Sequence, residues 1–191
     1  MRKRVAILIS GRGSNMLALI EAARAPDYPG EIALVLSNRA DADGLRHARK
    51  AGVETGLINH KAYADRAAFD AALDHTLRAA KIEFICLAGF MRILSDGFVR
   101  EWEGRIVNIH PSLLPAFRGL KPQAQALAAG VKVSGCTVHY VVPELDAGET
   151  IAQAEVPVLP GDTEETLSAR ILVEEHRLYP RAVAAALTRL G

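Results

Sequence analysis

From Lys3 to about Ile109 the chain alternates short runs of β-branched and aliphatic residues with longer stretches whose apolar positions recur at helical spacing. Strand side chains repeat every second residue and helical ones about every 3.6, so this alternation predicts βα units around a parallel sheet. Arg4–Ser10, Glu31–Ser37, Val53–Ile58, Glu83–Leu87 and Arg105–Ile109 are the predicted strands. Ser14–Ala25, Asp43–Ala51, Asp65–Ala80 and Asp96–Trp102 are the predicted helices, several of them opening on a Ser, Asn or Asp able to cap a first turn. Right-handed crossovers would put these helices on both faces of the sheet.

After His110 the pattern changes. Pro111, Pro115, Arg118-Gly119 and Pro122 make a breaker-rich segment, followed by a short predicted helix, Gln123–Ala129. Lys132–Val142 and Thr150–Leu159 read as strands that extend the sheet antiparallel, joined by the turn-rich Pro143-Glu144-Leu145-Asp146-Ala147-Gly148. A last helix is expected from Thr163 to Leu190, with an acidic first turn and Pro180 as a kink site. The expected fold is α/β and Rossmann-like: a mostly parallel twisted sheet with helices on both faces, C-terminal antiparallel strands and a long C-terminal helix. One domain spans 1–191, with a phosphate-binding Rossmann-like half, 1–109, and a second half, 110–191, that carries the breaker-rich loop and the antiparallel strands.

Composition narrows the partners. With 23 Lys and Arg against 22 Asp and Glu, no global field points to nucleic acid or to a membrane surface, so an anion site must be local. No stretch approaches the roughly 20 apolar residues that cross a bilayer. Cys86 and Cys136 sit in apolar or β-branched runs without metal-site spacing, as expected of buried thiols in a reducing, cytoplasmic setting. No disulfide and no metal are expected.

Two places carry candidate chemistry. The first predicted strand runs into Gly11-Arg12-Gly13-Ser14-Asn15 where a helix begins. Free backbone N–H groups and the helix dipole converge there, and glycine lets the backbone approach an anion closely. A dinucleotide fingerprint would need glycine at Met16 and an acid near Ser37-Asn38-Arg39, and no nucleoside-triphosphate loop is present. A phosphomonoester fits better. The second place is Asn108-Ile109-His110, at the end of a strand where residues two apart share a face. An amide and an imidazolium on one face can stabilise oxygen charge as a carbonyl carbon becomes tetrahedral, which is acyl-transfer equipment. Asp146, in its glycine-containing loop, is a candidate proton acceptor. Singly, such residues also serve packing and turns, and a nucleotide-binding module without catalysis would need only the glycine loop and sheet.

Five motifs in order resemble the phosphoribosylglycinamide formyltransferase family, the folate-dependent transformylases of purine biosynthesis. They are Ile9–Asn15, Ser37–Ala42, Leu87–Leu94, Asn108–Pro115 and Glu144–Gly148. The resemblance implies a catalytic trio of Asn108, His110 and Asp146. It implies that Gly13, Ser14, Asn15 and Glu175 bind phosphoribosylglycinamide. It implies that Arg66, Met91, Arg92, Ile93, Leu94, Asn108, Val141 and Val142 bind the co-substrate 10-formyltetrahydrofolate. The implied partners are these two small molecules, with no nucleic acid or membrane, and the implied assembly is a monomer or homodimer. Formyltetrahydrofolate hydrolases and methionyl-tRNA formyltransferases share the trio; the glycine loop favours a phosphorylated small substrate over water or tRNA.

Overall fold

Val5, Ile7 and Ile9 face one side of the first strand while Ala6 and Leu8 face the other, and all five are wholly buried. A strand apolar on both faces has to be covered on both faces. The computed structural model, which describes residues 2–191, meets that requirement. The elements run β1 (Lys3–Ile9), α1 (Ser14–Ala22), β2 (Gly30–Ser37), α2 (Asp43–Lys50), β3 (Glu54–Leu57), α3 (Arg66–Ala79) and β4 (Phe84–Leu87). They continue with α4 (Asp96–Glu101), β5 (Ile106–His110), α5 (Pro122–Ala128), β6 (Val133–Tyr140), β7 (Thr150–Pro157) and α6 (Glu164–Arg189). A single-turn 3₁₀ helix at His60–Ala62, which the periodicity does not announce, precedes α3.

The strands form one seven-stranded sheet in the order β3-β2-β1-β4-β5-β6-β7. Pairings among β1 to β5 are parallel, and β6 and β7 add antiparallel. One apolar cluster joins Val5, Ile7 and Ile9 to residues of α1, α2, α5 and α6, and the other joins Ala6 and Leu8 to α3 and α4. Each fully buried Leu, Ile or Phe contributes about 1.5–3 kcal/mol, so the two-sided core is the main source of stability. Cys86 and Cys136 are free, buried thiols. Among the described residues no helix is long and apolar enough to cross a membrane.

Capping differs from helix to helix. Asp65 accepts from Ala68 N, Ser95 from Phe98 N, and Thr163 forms a capping box with Thr166. Ser14 does not cap α1; the N-cap is Gly13, in the left-handed region at φ 76°, with no side-chain bond to the first turn. Asp43 lies inside the first turn of α2, whose N-cap Ala42 also makes no side-chain bond. The helix α6 runs through Pro180 without interruption.

Candidate active site

The order β3-β2-β1-β4-β5 reverses direction between β1 and β4, and in open α/β sheets ligands gather outside the strand ends at such a reversal. The loops after β1 and β4 leave side by side: Ser10 N donates to Gly89 O at 3.1 Å, and Met91 N donates to Ser10 Oγ at 2.8 Å. Ser10 Oγ in turn donates to Asn38 Oδ1 at 2.5 Å. The Ser37–Asn38 motif therefore braces the site from beneath rather than lining it. A cleft of about 660 Å³ opens here, with Asn15, Met91–Leu94, Asn108, His110, Val141, Val142, Asp146 and Glu175 among its walls.

At the β1 end, a Cβ on Gly13 would lie 2.9 Å from Met16 Cε and 3.0 Å from Gly44 Cα, in addition to the strain of positive φ. Glycine is required there by both conformation and space. The uncapped first turn of α1 leaves donors for an anion. Asn15 Nδ2 donates to Glu175 Oε2 at 3.0 Å, while Asn15 Oδ1 is buried without a partner. Burial raises the Glu175 pKa, and the bond from Asn15 opposes that shift. Thus α6 brings a carboxyl to the phosphate-type loop across 160 residues of sequence.

At the β5 end, Asn108 and His110 share a face, as strand alternation requires. His110 Nε2 lies 2.9 Å from Phe117 O; a carbonyl only accepts, so Nε2 carries the hydrogen. The other ring nitrogen, Nδ1, faces Asp146 Oδ2 at 3.6 Å, beyond direct hydrogen bonding. Both side chains are under 10% exposed. Asp146 itself sits at φ 50°, and its Oδ2 accepts from Gly119 N at 2.9 Å.

His139 belongs with this group, although the sequence shows it only as one alternating strand residue. It is paired directly opposite Asn108. Its Nδ1 lies 2.9 Å from Tyr140 O and therefore carries hydrogen, while Nε2 lies 3.3 Å from Asn108 Nδ2 and 3.7 Å from Asp146 Oδ1. Burial lowers the His139 pKa, against the opposing pull of the Tyr140 carbonyl and Asp146. Neutral His139 thus presents a lone pair at Nε2, which accepts from the Asn108 amide and orients it. Only the β5–β6 register reveals this partnership.

The segment after β4 makes the apolar wall. Met91 and Ile93 are largely exposed, Arg92 lies over the Phe69 ring at 4.8 Å, and Asp70 accepts from Ser95 N at 2.7 Å, tying the end of the segment to α3. Gly13 and Ser14 form the loop and first helical residue beside Asn15. Arg66 is not brought to the cleft walls; it is exposed at the first position of α3. Among the described residues no group of three or more His, Cys, Asp or Glu side chains is arranged to hold a metal ion.

Comparison with known proteins gives a consistent result. The family model described as Formyl transferase matches residues 3–183. The chain is 53% identical over 193 residues to the trifunctional purine biosynthetic protein adenosine-3 of Bos taurus, an alignment that covers 100% of this chain and 19% of that protein. It is 44% identical over 180 residues to the phosphoribosylglycinamide formyltransferase of Escherichia coli (strain K12), covering 94% of this chain and 85% of the relative. The chain spans about a fifth or less of the length of the trifunctional relatives it matches. Among solved structures, glycinamide ribonucleotide transformylase 1 from Symbiobacterium toebii aligns with a TM-score of 0.95 at 50% identity, covering 98% of this chain and 88% of that one. Phosphoribosylglycinamide formyltransferase from Brucella melitensis aligns with a TM-score of 0.94 at 52% identity, covering 98% and 96%.

Proposed function

The chain belongs to the formyl transferase family, and on that premise we propose that it transfers the formyl group of 10-formyltetrahydrofolate to the amine of 5-phosphoribosylglycinamide. The products are 5-phosphoribosyl-N-formylglycinamide and tetrahydrofolate, a step of purine biosynthesis. The observation that carries this reading is one cleft joining the uncapped, glycine-led turn of α1 to the Asn108, His110 and Asp146 cluster. The first suits a phosphate and the second suits acyl transfer.

The neutral amine attacks the formyl carbon, and the carbonyl π pair moves to oxygen. Asn108 gives that oxygen the amide hydrogen that His139 does not use. His110, whose Nε2 already bears its hydrogen, takes up at Nδ1 the proton released by the attacking amine and so adds positive charge beside the oxygen before passing that proton on. Collapse of the tetrahedral species breaks the bond to the folate nitrogen, which takes a proton, while the attacking nitrogen releases one. Asp146 faces His110 across a gap of 3.6 Å, and in this reading the proton passes between attacking and leaving nitrogens through solvent held by that pair. Gly13, Ser14, Asn15 and Glu175 hold the ribonucleotide. Met91, Arg92, Ile93, Leu94, Val141 and Val142 hold the folate, whereas Arg66, exposed on α3 outside the cleft walls, is a folate contact by family resemblance alone.

In this reading residues 1–191 act as one catalytic unit, with 1–109 supplying the phosphate half and 110–191 the folate and catalytic-loop half. It works in the cytoplasm as a monomer or homodimer and engages neither nucleic acid nor membrane. The near-zero net charge of +1 and two free, buried thiols support that placement. The test is a spectrophotometric assay of folate product. Turnover that requires phosphoribosylglycinamide, and that falls strongly in Asp146→Asn without loss of folding, is the expected result. Folate release without the amine would make the chain a hydrolase, and silence with both substrates would leave a binding module.

A further inference from the structure

A row of three polar residues crosses the antiparallel part of the sheet. His110 on β5 is paired with Thr137 on β6, and Thr137 is paired with Gln153 on β7. The chain leaving His110 turns back on itself through Pro111–Phe117, and the other two residues of the row grip that turn. Thr137 Oγ1 donates to Ser112 O at 2.7 Å and accepts from Leu114 N at 3.0 Å. Gln153 Nε2 donates to Leu114 O at 2.8 Å and to Thr137 Oγ1 at 2.9 Å. A hydroxyl has one donor and two acceptor positions, so Thr137 Oγ1 is fully used. Thr137 and Ser112 are both wholly buried, where every lost partner leaves a polar group stranded.

The gripped turn closes on His110 itself. Ser112 N donates to His110 O at 2.9 Å, and Ser112 Oγ donates to Ala116 O at 2.6 Å. The next residue, Phe117, at φ 56°, offers its carbonyl to His110 Nε2 at 2.9 Å. We propose that Thr137 and Gln153 are positioning residues for the transfer reaction. By holding the 111–117 turn from β6 and β7 they keep the Phe117 carbonyl on His110 Nε2, which commits the other ring nitrogen to the cleft and Asp146. Neither residue reaches the reacting atoms. This rests on the proposed formyl transfer and adds to it the group that sets which ring nitrogen is presented.

The test compares Thr137→Val, which keeps the shape and loses the hydroxyl, with Thr137→Ser, which keeps the hydroxyl. Gln153→Met, at an exposed position on the edge strand, removes both amide donors with little risk to folding. Expected are a fall in kcat of roughly 10–100-fold for Thr137→Val and 3–10-fold for Gln153→Met, from the span that misplacement costs. KM for both substrates should stay within about 3-fold, and Thr137→Ser should recover most of the rate. Long-range ¹H–¹⁵N spectra of the imidazoles, with His110 assigned by its loss in His110→Gln, should show a protonated Nε2 in the native chain. In Thr137→Val and Gln153→Met that signature should shift toward mixed tautomers. Native kcat in both variants, a Thr137→Ser chain as slow as Thr137→Val, or losses that track the folded fraction with the His110 signature unchanged would each overturn the proposal. If the native chain transfers no formyl group, the functional reading fails, and the tautomer signature still decides whether the row governs His110.

Discussion

Asn108 offers the cleft one free amide hydrogen because the other is spent on His139, whose own tautomer is set by the Tyr140 carbonyl. Without such a neighbour an amide can present its oxygen instead, which would repel a developing oxyanion. Asn108→Ala should lower kcat by about 10²–10³, the usual cost of one oxyanion donor, with KM for the ribonucleotide little changed; steady-state kinetics check this. Glu175 illustrates the opposite pressure, function held at the expense of stability. Its pKa is raised because burial disfavours the charged carboxylate. The neutral form is therefore the one the fold accepts: stability is full below the usual carboxylate range and is lost as pH rises through the raised value. Glu175→Gln should match the native chain in Tm at acid pH, below the usual carboxylate range, and exceed it at neutral to mildly alkaline pH, where the buried carboxyl is driven to ionise. It should also raise KM for the ribonucleotide. A flat difference in Tm across that pH range would show that Glu175 does not titrate in this way. Of these residues, Asn108 and His110 were legible as a pair from strand alternation alone. Asp146 was legible only as a candidate acceptor in its loop and was joined to the pair by resemblance, as Glu175 was brought in by resemblance, because no local pattern joins a loop and a helix to a distant strand end.

The sequence placed every α-helix and β-strand within a few residues, and the disagreements are informative. Helix ends are set by hydrogen bonds to whatever lies nearby, so Ser14 reads as a cap but is the first helical residue, with Gly13 before it. That difference matters, since a side chain capping the turn would compete with an anion for the same donors. The strands β6 and β7 depend on close backbone approach beyond what propensity conveys. A Cβ on Gly148 would sit 1.8 Å from Tyr140 O, and one on Gly135 would sit 2.0 Å from Ala154 O. Gly148→Ala must therefore move the loop that carries Asp146. We expect a loss of kcat of at least about 10-fold, with the far-ultraviolet spectrum retained. Thr163→Ala removes the capping box of α6 and should cost about 1 kcal/mol, read as a lower midpoint in urea with kcat unchanged, because the cap lies outside the cleft.

The whole molecule behaves as a sheet insulated on two faces with its chemistry at one edge, so substrates add stability without rearranging the core. A ligand that binds only the folded chain, at a free concentration of 100 times its Kd, contributes about 2.7 kcal/mol. Phosphoribosylglycinamide and a non-reactive folate analogue should each raise Tm by roughly 5–10 °C on a chain of this size. A thermal melt showing no shift with either would argue against a preformed cleft. The amino-acid sequence by itself determined the α/β class, the switch from parallel to antiparallel strands after His110, the anion-suited loop and the shared face of Asn108 and His110. All of these follow from short-range periodicity and backbone preference, which act between residues close in the chain. Tertiary structure alone decided that His139 orients Asn108, that Gln153 and Thr137 grip the turn behind His110, that Glu175 meets Asn15, and that Arg66 stands outside the cleft walls. Those contacts depend on strand register and on how helices lie across the sheet. Both are set by the packing of the entire core, and a one-residue slip would turn every strand partner to the other face.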